Sequence, residues 1–156
     1  MSNKNGRGYN LKAKEYLKQL YRLDVRINQK IKEKGELKAS LINISSPDLS
    51  QERVQGGNLP NNKGFTKKIV KLIELEEEIN NEIDRFVLQK HNMINQIQEM
   101  GNTRYIEILY KHYVEFKRLE VVAVEMNFTY QYIVELHGYA LKEFQKTYEN
   151  LLNSNV

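Results

Sequence analysis

Cysteine and tryptophan are absent from this 156-residue chain, and proline occurs only twice. Without cysteine there are no disulfides, thiolate metal sites or Cys nucleophile. No apolar run nears the ~18 residues that a membrane-spanning helix requires, so no membrane partner is expected. The first ten residues, MSNKNGRGYN, are polar throughout and lack the charged-then-apolar pattern of a signal peptide. The expected compartment is the cytoplasm. Strand signals and internal repeats are missing, which leaves an all-α fold. No Ser-His-Asp order, glycine-rich phosphate loop or paired-carboxylate motif stands out. His91, His112 and His137 are too scattered for a metal site. An enzyme is not expected, nor a cofactor or metal. The chain does have 40% hydrophobic and 28% charged residues, enough to form a core. The length suits one domain, or one domain with a helical arm.

The net charge of +4 is unevenly spread. Residues 1–38 carry eleven Lys+Arg against four Asp+Glu, whereas residues 39–101 carry seven against nine. A basic first third can meet phosphates or an acidic protein face. It can equally be a solvated helix face whose lysines pair with the acidic middle segment.

Residues 1–10 read as a flexible tail. From Leu11 to Ile44 the apolar positions Tyr16, Leu20, Leu23, Ile27 and Ile31 recur at helical spacing, and Leu37, Leu41 and Ile44 resume the stripe. Residues 45–66 hold both prolines and three of the eight glycines and read as a flexible loop, with Thr66 as N-cap of the next helix. From Ile69 to Met100 a 3,4,3,4 pattern runs through Leu72, Glu76, Ile79, Ile83, Phe86, Lys90, Met93 and Ile97, the signature of a coiled-coil seam. Residues 11–100 are therefore expected to form a long antiparallel helical hairpin, which pairs with a second copy because a hairpin alone has little core. Gly101 is expected to close its second helix. Residues 102–146 should be a small helix-turn-helix domain, and 147–156 a frayed tail.

The stretch Leu119–Leu136, LEVVAVEMNFTYQYIVEL, carries the most information. A helix-turn-helix needs a small residue where its helices cross, a residue tolerant of positive φ in the turn, and a buried β-branched residue ten positions after the small one. Ala123, Asn127 and Ile133 meet these demands. Val122, Met126, Phe128 and Leu136 are expected in the core, and Thr129 caps the second helix. The exposed face of that helix then offers Tyr130, Gln131, Val134, Glu135, Gly138 and Tyr139. Gln131 is the best base reader, since Gln pairs bidentately with adenine. Thr129 and Tyr130 can contact phosphate beside it, and Lys117 and Arg118 can anchor the preceding helix. Lys18, Arg22 and Arg26 of the basic first helix are further phosphate contacts. Glu135 repels phosphates but can accept from cytosine, and the domain is net neutral. DNA binding as a dimer and protein binding through Tyr130, Val134 and Tyr139 both stay open.

Residues 12–45 and 66–146 resemble small phage and prophage proteins of Gram-positive bacteria related to the ArpU and RinA late-gene transcriptional regulators. Their C-terminal part is similar to region four of bacterial sigma factors. The residues behind the likeness are AKEYL at Ala13–Leu17, Leu23–Asn28 (LDVRIN), Ile79–Asp84 (INNEID), Ile108-Leu109-Tyr110, Ala123–Met126 and Leu136–Phe144 (LHGYALKEF). Leu119 and Asn127 stand where members usually carry an aromatic and Gly. The resemblance implies transcription control on double-stranded DNA in a bacterial host cell, with host RNA polymerase as a partner. Two alternatives are a non-catalytic protein-interaction factor and a DNA-packaging small subunit.

Overall fold

The computed structural model describes residues 6–45 and 62–154, and every element among them is helical. The order is α1 (Gly6–Leu17), α2 (Gln19–Ser45), α3 (Asn62–Gln98), α4 (Thr103–Leu109), a π-helical turn (Tyr110–Val114), α5 (Leu119–Glu125), α6 (Tyr130–Thr147) and α7 (Glu149–Ser154). No helix among the described residues is long and apolar enough to cross a membrane. The chain forms two compact units: Met1–Asp24 with Phe86–Val156, and Val25–Arg85. Both boundaries fall inside continuous helices, α2 and α3, whereas spacing alone placed the division at Gly101.

The first unit holds the larger core. Ala13 and Leu17 of α1, Leu20 of α2, and Met93, Ile97 and Met100 of α3 pack in one cluster with Ile108, Leu109, Val122, Ile133, Ala140 and Phe144. This packing accounts for several departures from the sequence reading. Helix α1 begins at Gly6, within the stretch read as a tail, and it is separated from α2 at Lys18. Short helices gain most of their stability from tertiary contacts. Here the Ala13 amide donates to the buried Gln145 side chain at 3.0 Å, and the Tyr16 ring stacks on Phe144. At the other end, residues 149–154 form α7 rather than fraying, with Leu152 buried. The Tyr148 hydroxyl lies 2.9 Å from the Gln96 carbonyl and 2.8 Å from the Glu99 carboxylate, two acceptors for its one proton. Gly101 does not close α3, which ends at Gln98, and no described glycine has positive φ. Asn102 instead caps α4, its side chain accepting from the Arg104 amide at 3.0 Å. Helix α3 starts at Asn62, ahead of Thr66, and residues 46–61 of the expected loop lie outside the described residues.

In the second unit α2 and α3 run antiparallel. Arg26 faces Glu82 at 3.8 Å, Lys30 meets Glu78 at 2.8 Å and Lys34 meets Glu76 at 2.7 Å, so one number rises as the other falls. The basic helix thus pairs with the acidic segment. The hydrogen bond from Lys30 holds the Glu78 carboxyl below its ordinary range, and that from Lys34 does the same for Glu76. The seam differs from the expected one. Leu75 is buried and Glu76 exposed; Glu82 is largely enclosed and Ile83 is 38% exposed. Counting every third and fourth residue cannot choose between 75 and 76 as the inward position, and burying Leu75 rather than Glu76 decides it. Leu75, Ile79, Met93, Ile97 and Met100 are all buried within the one chain.

Candidate nucleic-acid interface

The turn between α5 and α6 is built by hydrogen bonds that the backbone can make only if one residue is left-handed. Asn127 has φ 56°. Its amide donates to the Val124 carbonyl, and the Phe128 amide donates to the Ala123 carbonyl at 3.0 Å. This pair of bonds is a Schellman closure of α5. Thr129 then opens α6, its hydroxyl accepting from the Tyr132 amide at 3.2 Å. Val122, Ala123, Ile133 and Leu136 are buried where the two helices meet. Phe128, expected inside, is 36% exposed. Its ring lies under the Arg104 guanidinium, 5.5 Å from the centroid, and 4.9 Å from Tyr132. Arg104 also donates to the Tyr132 hydroxyl at 3.1 Å. It stands beside the start of α6, and sequence reasoning missed it because its neighbours there come from 24 and 28 residues away.

Helix α6 keeps the expected face open. Tyr130 is 51% exposed, Val134 41% and Tyr139 55%, and Thr129, Gln131 and Glu135 are exposed as well. Lys142 sits over the Tyr139 ring, 5.6 Å from its centroid. The cations before α5 are engaged. Lys117 pairs with Glu125 at 2.8 Å and Glu115 at 2.9 Å, which raises the pKa of its ammonium group. Glu125 is held below the ordinary carboxylate range by hydrogen bonds from Lys111 and then Lys117. Arg118, highly exposed, reaches Glu120 at 3.4 Å.

Four of the five cations named from the sequence converge, but away from the α6 face. Lys18, Arg22 and Tyr21 line a cleft of about 500 Å³ together with Phe116, Lys117 and Arg118. Arg26 lies in the other unit. His112, also in the lining, donates from Nδ1 to the Lys117 carbonyl at 2.7 Å, and burial favours its neutral form. His137 Nε2 meets the Tyr113 hydroxyl at 2.9 Å. Burial pushes the His137 pKa down to about 4, helped by His112 and Lys14, and pushes the Tyr113 phenol up. Phe116 follows the π-helical turn at φ 57°, a left-handed conformation unusual for a bulky residue, and its ring meets Tyr21 edge-on at 5.4 Å. Nothing in the local sequence announces that geometry. No group of acidic and histidine side chains able to hold a metal occurs among the described residues.

No curated protein and no solved structure matches the chain. The family model of a protein of unknown function, DUF1492, matches residues 43–145, from the end of α2 through most of α6 and about two-thirds of the chain. The chain therefore belongs to the DUF1492 family.

Proposed function

We propose that the protein is a phage-type transcriptional regulator that binds double-stranded DNA through α5 and α6, read as a helix-turn-helix of the sigma-region-four kind. The α2–α3 pair is its helical hairpin, and host RNA polymerase its partner. The observation that carries this reading is the α5–α6 junction. Asn127 is left-handed, Ala123 and Ile133 are buried at the crossing, and Tyr130, Gln131, Val134, Glu135 and Tyr139 remain open to a ligand. Gln131 lies in the first turn of α6, where a recognition helix enters the major groove. Arg104 joins the phosphate-contact candidates from the neighbouring α4. A homodimer on two half-sites belongs to the proposal. Its contact draws on exposed apolar residues such as Val70 and Ile73 of α3 rather than on the buried seam.

A second reading has its own observation. Lys117, Arg118 and Lys111 are tied to Glu115, Glu120 and Glu125, while Tyr130, Val134 and Tyr139 make an apolar surface. In that case the same face captures a protein. Parallel DNA-shift and polymerase pull-down assays on alanine variants separate the two. On DNA, Gln131→Ala costs about 1–3 kcal/mol at the cognate base, and Arg104→Ala weakens all sequences alike. On protein, Tyr130→Ala or Tyr139→Ala abolishes capture and Gln131→Ala does little. DNA affinity that is the same for all four alanine variants refutes the α6 reading.

A further inference from the structure

We propose that the cleft between the α1–α2 corner and the segment before α5 is a nucleotide site, taking a phosphate ester on Lys18 and Arg22 and a flat base against the Tyr21–Phe116 ring pair. No residue of the open α6 face lines it, so the assignment does not depend on the DNA reading. Its volume, about 500 Å³, falls in the range of small-ligand sites.

The cations set the sign of the ligand. Lys18 is half-buried and has no carboxylate partner among the described residues. A partly buried ammonium with no carboxylate beside it favours an anionic ligand. Arg22 is paired with Glu15 and Arg118 with Glu120, but all four side chains are substantially exposed, and exposed pairs are weak enough to be exchanged for a phosphate. Lys117 stays committed to Glu115 and Glu125. The local field agrees in sign: after burial, the charges of Lys14 and Lys18 help keep the His112 imidazole neutral.

The rings set the shape. Tyr21 is 54% exposed, and Phe116 meets it edge-on, which leaves a Tyr21 face for stacking. Phe116 holds its place through a left-handed backbone that persists only where the surroundings fix it. Cations and rings lining one cleft fit a ligand with both a charged and a planar part. A bare phosphate or a neutral ring uses half of the site.

The same chemistry is carried by a free nucleotide and by a nucleotide in a single strand. Isothermal titration of the full chain at low ionic strength, with AMP, adenosine, inorganic phosphate and a short single-stranded oligo(dA), tests the site and its source. AMP should bind at least about tenfold more tightly than adenosine or phosphate, the worth of one charge-assisted hydrogen bond or one stacked base. Lys18→Ala and Arg22→Ala should each bring AMP towards the affinity of adenosine, and Tyr21→Leu towards that of phosphate. Oligo(dA) bound with the same variant pattern while AMP is not bound assigns the site to a strand-borne nucleotide. Circular-dichroism melts check that the variants fold; the exposed Arg22 carries the test if Lys18→Ala does not. Absence of binding by both AMP and oligo(dA), equal binding of AMP and adenosine, or binding unmoved by the folded variants overturns the proposal.

Discussion

His137 offers a test of the first unit's core that needs no ligand. Its side chain is 8% exposed, its Nε2 meets the Tyr113 hydroxyl at 2.9 Å, and the His112 ring lies 5.2 Å away. Burial first, then the neighbouring His112 and Lys14, lower its pKa from the ordinary 6.5 to about 4. The unfolded chain therefore binds a proton between those values that the folded chain refuses. The corresponding stability is fully present above pH 6.5 and is lost as pH falls through 4. At ~1.36 kcal/mol per pH unit the whole effect is about 3 kcal/mol, of which about 2 kcal/mol disappears between pH 7 and pH 5. His112 titrates low for the same leading reason and deepens the loss. Many carboxylates also titrate at the acid end, so the measurement must be a difference. Urea unfolding of the wild type and of His137→Gln, which can still accept from Tyr113 but cannot titrate, should give free-energy curves that converge by about 2 kcal/mol over this interval. Parallel curves, or a His137 ring proton that titrates near 6.5 by NMR, would refute the argument.

Three further outcomes rest on the hydrogen bonds and dihedrals. Asn127→Gly should leave thermal stability unchanged or raised, whereas Asn127→Ala should lose about 1 kcal/mol, because only the first tolerates φ 56° freely; calorimetry distinguishes them. Thr129→Ala should cost about 1 kcal/mol in urea melts by removing the cap on the Tyr132 amide. Gln145→Ala should cost about 1–3 kcal/mol by stranding the buried Ala13 amide, and hydrogen exchange should show the loss concentrated in α1.

The parts of the fold that were legible in the sequence are those where one residue answers one stereochemical demand. Asn127 had to be left-handed, Thr129 had to cap, and Ala123 and Ile133 had to be small and β-branched at a crossing; the local sequence contains all of that. The parts that were not legible depend on partners far along the chain. Residues 6–10 look like a tail until α6 is there for α1 to pack on. Leu152 looks like fraying sequence until the core receives it. Phe128 looks like core until Arg104 holds it outside. The seam was offset because Leu75 and Glu76 are adjacent, and periodicity weighs position without weighing desolvation. For the candidate sites, the open face of α6 comes from helical phase alone. The cleft does not. Lys18, Arg22, Lys117 and Arg118 were visible as charges, but their convergence rests on the π-helical turn and on Phe116, neither of which has a sequence signal.

The discontinuous make-up of the first unit fixes an order of events at the ribosome. Ala13 is translated 132 residues before Gln145, the side chain that accepts its amide proton. At bacterial and eukaryotic elongation rates that separation is roughly 7 to 26 s. Through that interval Ala13, Leu17 and Leu20 have emerged without the α6 and α7 residues that finally cover them. A nascent chain stopped after α3 would have only Met93, Ile97 and Met100 to set against this strip, and would lack Ile133, Ala140, Phe144 and Leu152 of the finished core. The core of the first unit is therefore complete only once α6 and α7 have left the ribosome.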